Sequence, residues 1–157
     1  MSKQAPIMSR LFLFIALSMG AVWSSACAMG AADGPQRINL PGARGDLVFS
    51  HVVVAGGTIY VAGTLGLDPE TGKPPADARA EARLALEDVR RKLALAGATM
   101  NDLVSVQVFC TDLQLYAEFN SIYRTFFEKG FPARTFVGSG PLLFGSRFEI
   151  NGIAVKR

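Results

Sequence analysis

The chain is 157 residues long, half of them apolar and 18% charged, with a formal net charge of +3. That length suits one domain, since single-core domains cluster near roughly 100–150 residues, and the composition is too apolar for a disordered chain and too mixed for a multispan membrane protein. With one His and two Cys the sequence shows no metal-ligand cluster, and neither a metal nor another cofactor is expected.

The first residues depart from the rest. Lys3 and Arg10 precede the apolar run Leu11 to Leu17, which continues weakly to Trp23, and Ala26-Cys27-Ala28 then presents the A-x-A pattern of a signal peptidase site. The expectation is a signal peptide over residues 1–28 and a periplasmic or secreted mature chain beginning at Met29. Lipid anchoring through Cys27 is the weaker reading, because Ser24 stands where a lipobox usually carries Leu. A retained anchor fits worse still, the apolar run falling short of the roughly 20 residues of a spanning helix. Removing Lys3 and Arg10 leaves 14 basic residues against 13 acidic ones, so the mature net charge is +1 and gives no electrostatic case for nucleic acid. Cys110 would then be the only thiol, read as a small buried hydrophobe.

Residues 29–46, with Pro35, Pro41 and several glycines, read as an arm or linker, and the domain as 47–157. Val52 to Ala55 and Thr58 to Ala62 flank Gly56-Gly57, the pattern of a β-hairpin whose turn needs positive φ. The stretch Asp68 to Pro75 combines turn formers with prolines and is a loop. Asp77 caps a helix of about five turns, whose stripe is Ala82, Ala85, Leu86, Val89, Leu93 and Ala96 and whose terminator is Gly97. Its other face, Arg83, Glu87, Arg90, Arg91 and Lys92, reads as solvated.

Val104, Val106, Val108 and Cys110 alternate with Ser105, Gln107 and Phe109, giving a central strand with one apolar face. After Asp112, Tyr116, Phe119, Ile122, Tyr123 and Phe126 form the core stripe of a second helix. Ala133 to Val137 and Arg147 to Val155 are two further strands around the turn Gly138-Ser139-Gly140-Pro141. The order β-β-α-β-α-β-β predicts an α+β fold with both helices on one face of the sheet. Phe109, Ile153 and Val155 then lie on a face that no helix covers, and self-association is the simplest cover.

No triad is visible around His51, and Gly138-Ser139-Gly140 is neither a phosphate loop nor a dinucleotide fingerprint. Phe131-Pro132-Ala133-Arg134 is more informative, because it is followed by Glu149-Ile150-Asn151-Gly152-Ile153-Ala154-Val155 and preceded by a Gly63 to Pro69 turn and Asp68-Pro69-Glu70-Thr71-Gly72. In these linked motifs, over residues 47–157, the chain resembles the RidA/YjgF family, also called endoribonuclease L-PSP. The resemblance implies a chorismate-mutase-like fold and a homotrimer with a barrel-like core and clefts between subunits. It further implies a cofactor-free hydrolase acting on C=N bonds, an enamine/imine deaminase that turns small 2-imino acids into 2-oxo acids and ammonia.

On the same resemblance Arg134 holds the substrate carboxylate through a bidentate pair, with Phe49, Ala62, Gly63 and Phe136 lining the site. The alternative for Arg134 is a structural ion pair. This chain departs from the family where active members carry a glutamate, here Asn151, and a Ser or Thr, here Ala62. Phe136 stands where Cys or Thr is common, and Phe49 where Tyr is. Asn151 is therefore the residue expected to orient water, and His51 the titratable candidate for proton transfer, the alternative being a structural histidine. The reading is an imine deaminase of weakened or altered activity. The alternative is a non-enzymatic trimer that binds small carboxylates, and RNA cleavage fits the charge poorly.

Overall fold

The computed structural model describes residues 34–156, so the expected signal peptide, the cleavage site and Cys27 lie outside the described residues. Six strands run in chain order as β1 (Gln36–Ile38), β2 (Val52–Ala55), β3 (Thr58–Leu65), β4 (Leu103–Cys110), β5 (Ala133–Gly138) and β6 (Phe148–Val155). Helix α1 (Ala78–Leu95) joins β3 to β4, and α2 (Tyr116–Tyr123), flanked by 3-10 turns, joins β4 to β5. The sheet order is β1-β2-β3-β6-β4-β5, antiparallel except for the parallel pair β4–β5. This is the expected α+β order with one strand added: the segment read as an arm contributes β1, which pairs Arg37 with Val53. Its prolines flank the three-residue strand rather than interrupt it, and β1 is an edge, where missing donors are tolerated.

Local signals explain the elements. Gly56 and Gly57 both have positive φ, 54° and 83°, as a two-residue hairpin turn between β2 and β3 requires. Asp77 caps α1 by accepting from the amides of Arg79 and Ala80, and Gly97, at φ 70°, ends it. Ala82, Ala85, Leu86, Val89 and Leu93 are all buried against the sheet face formed by Val52, Ile59, Val61, Val106, Val108, Phe148 and Ile150. Each buried Leu, Val or Ile contributes about 1.5–3 kcal/mol by removal from water, so this single layer accounts for most of the core.

Three expectations need correction. Val104 is 48% exposed because an irregularity between Leu103 and Ser105 breaks the alternation of β4, and Leu103 takes the buried position instead. Tyr116 is also half exposed, since α2 is only two turns long and its first residue lies beyond the core. Lys92, read as solvated, is 3% exposed and points between α1 and β3.

The sequence also hid a second buried charge. Glu81 of α1 is fully buried and accepts from the backbone amides of Arg147 and Phe148, at 2.6 and 3.1 Å, and from Arg147 Nε at 2.6 Å. Arg147 in turn donates to the carbonyls of Ala76 and Pro75. A buried carboxylate is tolerated only when paired and hydrogen-bonded, and this pair ties the start of α1 to the start of β6. Gly66 lies directly under the Glu81 carbonyl, where a Cβ would meet that oxygen at 2.0 Å.

Candidate functional site

Arg134 stands on the edge strand β5 and projects onto the helix-bearing side. Its Cζ lies 4.6 Å from the ring centre of Tyr123, 5.6 Å from that of Phe136 and 5.7 Å from that of Tyr116. Phe136 packs edge-on against Tyr116 and Phe119, with centroids 5.0 and 5.4 Å apart. Asn120, Arg124 and the Phe131-Pro132 turn complete a cleft of about 230 Å³ beside the guanidinium. Arg134 Nη2 is 3.5 Å from the Tyr116 hydroxyl. Among the described residues Arg134 makes no ion pair, so the structural ion-pair reading has no carboxylate behind it. A planar guanidinium stacked on rings is held in orientation while its in-plane donors remain available, which is the requirement for bidentate capture of a carboxylate.

The cleft also contains a polar loose end. The Tyr123 hydroxyl is buried and has no hydrogen-bond partner among the described residues. Burial pushes its phenol up to about 12 against the pull of Arg134, so it is a neutral donor. The Tyr116 phenol moves the other way, lowered by its hydrogen bond with Asn120 and by the nearby Arg134 charge.

A second group gathers at the other side of the sheet's centre. Phe49 and His51 meet edge-on with ring centroids 5.4 Å apart. Asn39 Oδ1 accepts from the His51 backbone amide at 3.0 Å and lies 3.1 Å from Nδ1. An oxygen that takes the backbone proton is an acceptor for the ring as well, which places the proton on Nδ1 and leaves Nε2 as the basic atom. Burial lowers the His51 imidazole below its ordinary range, the Lys92 charge adds to this, and Asp88 opposes it. The His51 carbonyl accepts from the Ala62 amide at 3.1 Å, so Ala62 is fixed beside it.

Ala62 and Gly63 sit where the β3–β6 register slips between Val61 and Thr64. The Glu149 carboxylate of β6 lies against Gly63, filling the space that a Cβ there would occupy at 2.1 Å from Oε1. Asn151, also on β6, pairs across to Gln107, which pairs to Thr135. Alternation along β6 puts Glu149, Asn151, Ile153 and Val155 on the helix-free face and Phe148, Ile150, Gly152 and Ala154 on the buried one.

The chain thus brings Arg134 to Phe136, Phe49 to His51 and the His51 backbone to Ala62, but Arg134 and Asn151 belong to opposite faces of the sheet. Sequence reasoning missed Glu149, Tyr123 and Asn120 as site residues. The period of β6 was the available signal for Glu149, because it is the one carboxylate on the Asn151 face of that strand.

The chain matches the family model described as Endoribonuclease L-PSP over residues 41–156. The 2-iminobutanoate/2-iminopropanoate deaminase of Escherichia coli K12 is 37% identical over 122 residues, covering 76% of this chain and 94% of that protein. Its namesake from Mus musculus is 37% identical over 109 residues, 69% of this chain and 81% of the relative. The crystal structure of E. coli TdcF with bound serine superposes with a TM-score of 0.70 at 33% identity, covering 78% of this chain and 99% of that one.

Proposed function

Because the chain belongs to the RidA/YjgF family, also described as endoribonuclease L-PSP, we propose that it is an imine deaminase that hydrolyses small 2-imino acids to 2-oxo acids and ammonia. The observation that carries this reading is Arg134, an arginine without a carboxylate partner among the described residues, surrounded by three aromatic rings beside a cleft. In the proposed reaction Arg134 pairs with the substrate carboxylate, and water attacks C2 while the π electrons of the C=N bond move to nitrogen. A base takes the proton of the attacking water. That proton passes to nitrogen to give the neutral carbinolamine; on collapse the base takes the hydroxyl proton and delivers it to nitrogen, the C–N bond breaks, nitrogen leaves as ammonia, and the C–O bond becomes the carbonyl.

Asn151 can orient the water but cannot take its proton, and His51 offers Nε2. The carboxylate able to act as the base is Glu149, two residues before Asn151 on the same face and packed on Gly63. General-base assistance is typically worth about 10²–10⁴-fold. Glu149→Gln should therefore lower kcat for ammonia release from an enzymatically generated imino acid by about that factor, and His51→Ala by much less. Wild-type protein that binds small carboxylates in calorimetry yet releases no ammonia would favour the non-enzymatic binding reading instead.

Assembly as a homotrimer and export belong to the same proposal. A homotrimer supplies cover for the helix-free face, on which Tyr60, Val137, Ile153 and Val155 are 36–47% exposed. A trimer in which the β5 edge of one subunit meets the helix-free face of the next would bring Arg134 of one to Glu149 of the other, which one chain does not do. Export after cleavage at Ala28 rests on the Lys3 to Ala28 pattern; intact mass of the periplasmic or secreted protein should begin at Met29, and a full-length chain confined to the cytosol would overturn it.

A further inference from the structure

The buried lysine of α1 serves no packing purpose that an apolar side chain would not serve better. Lys92 is 3% exposed, its ammonium 2.7 Å from Thr64 Oγ1 and 3.1 Å from Asp88 Oδ2. The Thr64 hydroxyl in turn donates to the Ala62 carbonyl at 2.8 Å. The ammonium therefore sits directly behind the irregular Ala62–Gly63–Thr64 segment, whose other side carries the Glu149 carboxylate. Lys92 and Asp88 also line a cleft of about 630 Å³ that runs from Gly63 along α1 to the Asp68-Pro69 loop.

Burying a cation costs several kcal/mol unless its partners and surroundings compensate. Here the compensation is partial: desolvation lowers the Lys92 amine from its ordinary range, against the pull of Asp88 and, from β6, of Glu149, while Arg91 on the same helix adds to the lowering. Asp88 does not depend on Lys92 for a partner, because Arg91 reaches its other oxygen at 2.5 Å. The helix would thus lose little by carrying an apolar residue at 92, and the charge invites an explanation in what it faces.

We propose that Lys92 is a positioning residue of the Gly63–Glu149 part of the site, its buried ammonium drawing the Glu149 carboxylate onto the β3 bulge and excluding a second positive charge from His51. This rests on the deaminase reading for its purpose but not for its electrostatics. Both proton acceptors of that reading feel the charge of this one cation, which is held by Thr64 and Asp88. A fixed charge in a poorly solvated place acts over several ångströms with little screening. The charged groups facing Lys92 are Asp88 and Arg91 from α1 and Glu149 from β6, with Thr64 from β3; those acting on His51 are Lys92 and Asp88.

His51 is the only histidine in the chain, so its imidazole gives a single pair of ring signals that can be titrated by NMR in the full-length protein. Lys92→Met, which keeps the length of the stem and removes the charge, should move the His51 midpoint to higher pH. Asp88→Asn should move it to lower pH. Thr64→Val, which removes a hydrogen bond but no charge, should leave it in place. Opposite displacements in the two charge variants are a signature that a general loosening of the fold does not produce. In ammonia release, Lys92→Met should lower kcat by about tenfold or more with KM little changed, as expected when a group acts on the chemical step rather than on binding. Coincident His51 titrations in wild type, Lys92→Met and Asp88→Asn would overturn the inference whatever the activity. Should Lys92→Met fail to fold, Lys92→Gln, which removes the charge but can still hydrogen-bond Thr64, decides by the same titration: a midpoint unmoved from wild type overturns the inference. A wild type without ammonia release would overturn the deaminase reading alone and leave the titration result standing.

Discussion

Arg134 shows how little of a side chain's role is contained in its charge. Its guanidinium is 4.6 Å from the centre of the Tyr123 ring and near two more rings, so its plane is set by stacking before any ligand arrives. A lysine keeps the charge but loses both the stacking surface and the fork that matches a carboxylate. Arg134→Lys should weaken binding of a small 2-oxo acid by about tenfold, the value of roughly one charge-assisted hydrogen bond, as read by calorimetry; equal affinities would mean that the fork is not used. Cys110 is the contrasting case. It is buried, its Sγ donates to the Asp112 carbonyl at 3.0 Å and burial pushes its thiol up, so it packs as a hydrophobe and not as a nucleophile.

At the scale of elements, legibility in the sequence tracks whether the partners of a residue are local. The hairpin at Gly56-Gly57 and the Asp77 cap depend on contacts within a few residues, and both stand where the periodicity put them. Arg134 and Phe136 were named through the family resemblance, and the rings of Tyr116 and Tyr123 that meet them come from α2. Lys92 and Glu81 were not legible, because their partners are 28 and 66 residues away in sequence, and a charged residue on a helix gives no local sign of which way it faces. The same holds for Glu149, whose place against Gly63 exists only through the β3–β6 pairing and its register slip. Strand β1 escaped because three residues between prolines and glycines carry too little pattern to read. The face of β4 was read correctly from Val106 to Cys110 and wrongly at Val104, where a bulge resets the period.

The whole molecule has an asymmetry that neither residues nor elements explain. One face of the sheet is sealed by α1 and α2, and the other leaves Tyr60, Val137, Ile153 and Val155 part exposed beside Glu149, Asn151 and Gln107. Arg134 belongs to the sealed side at the β5 edge, so the proposed carboxylate-binding group and the proposed base face apart within one chain. If the reaction needs both, they must come from two chains. Subunit mixing tests this directly. Arg134→Ala and Glu149→Gln proteins should each be nearly inactive alone. Mixed, dissociated and reassembled in equal amounts, they form interfaces in which the Glu149→Gln subunit supplies an intact Arg134 and the Arg134→Ala subunit an intact Glu149. In a cyclic trimer with one site per interface, random assembly makes about a quarter of the sites whole, so ammonia release should recover to about a quarter of the wild-type rate. No recovery, with native mass spectrometry showing that mixed trimers have formed, would place both groups in the same chain's site and require the fold to bring them together by a movement around β5.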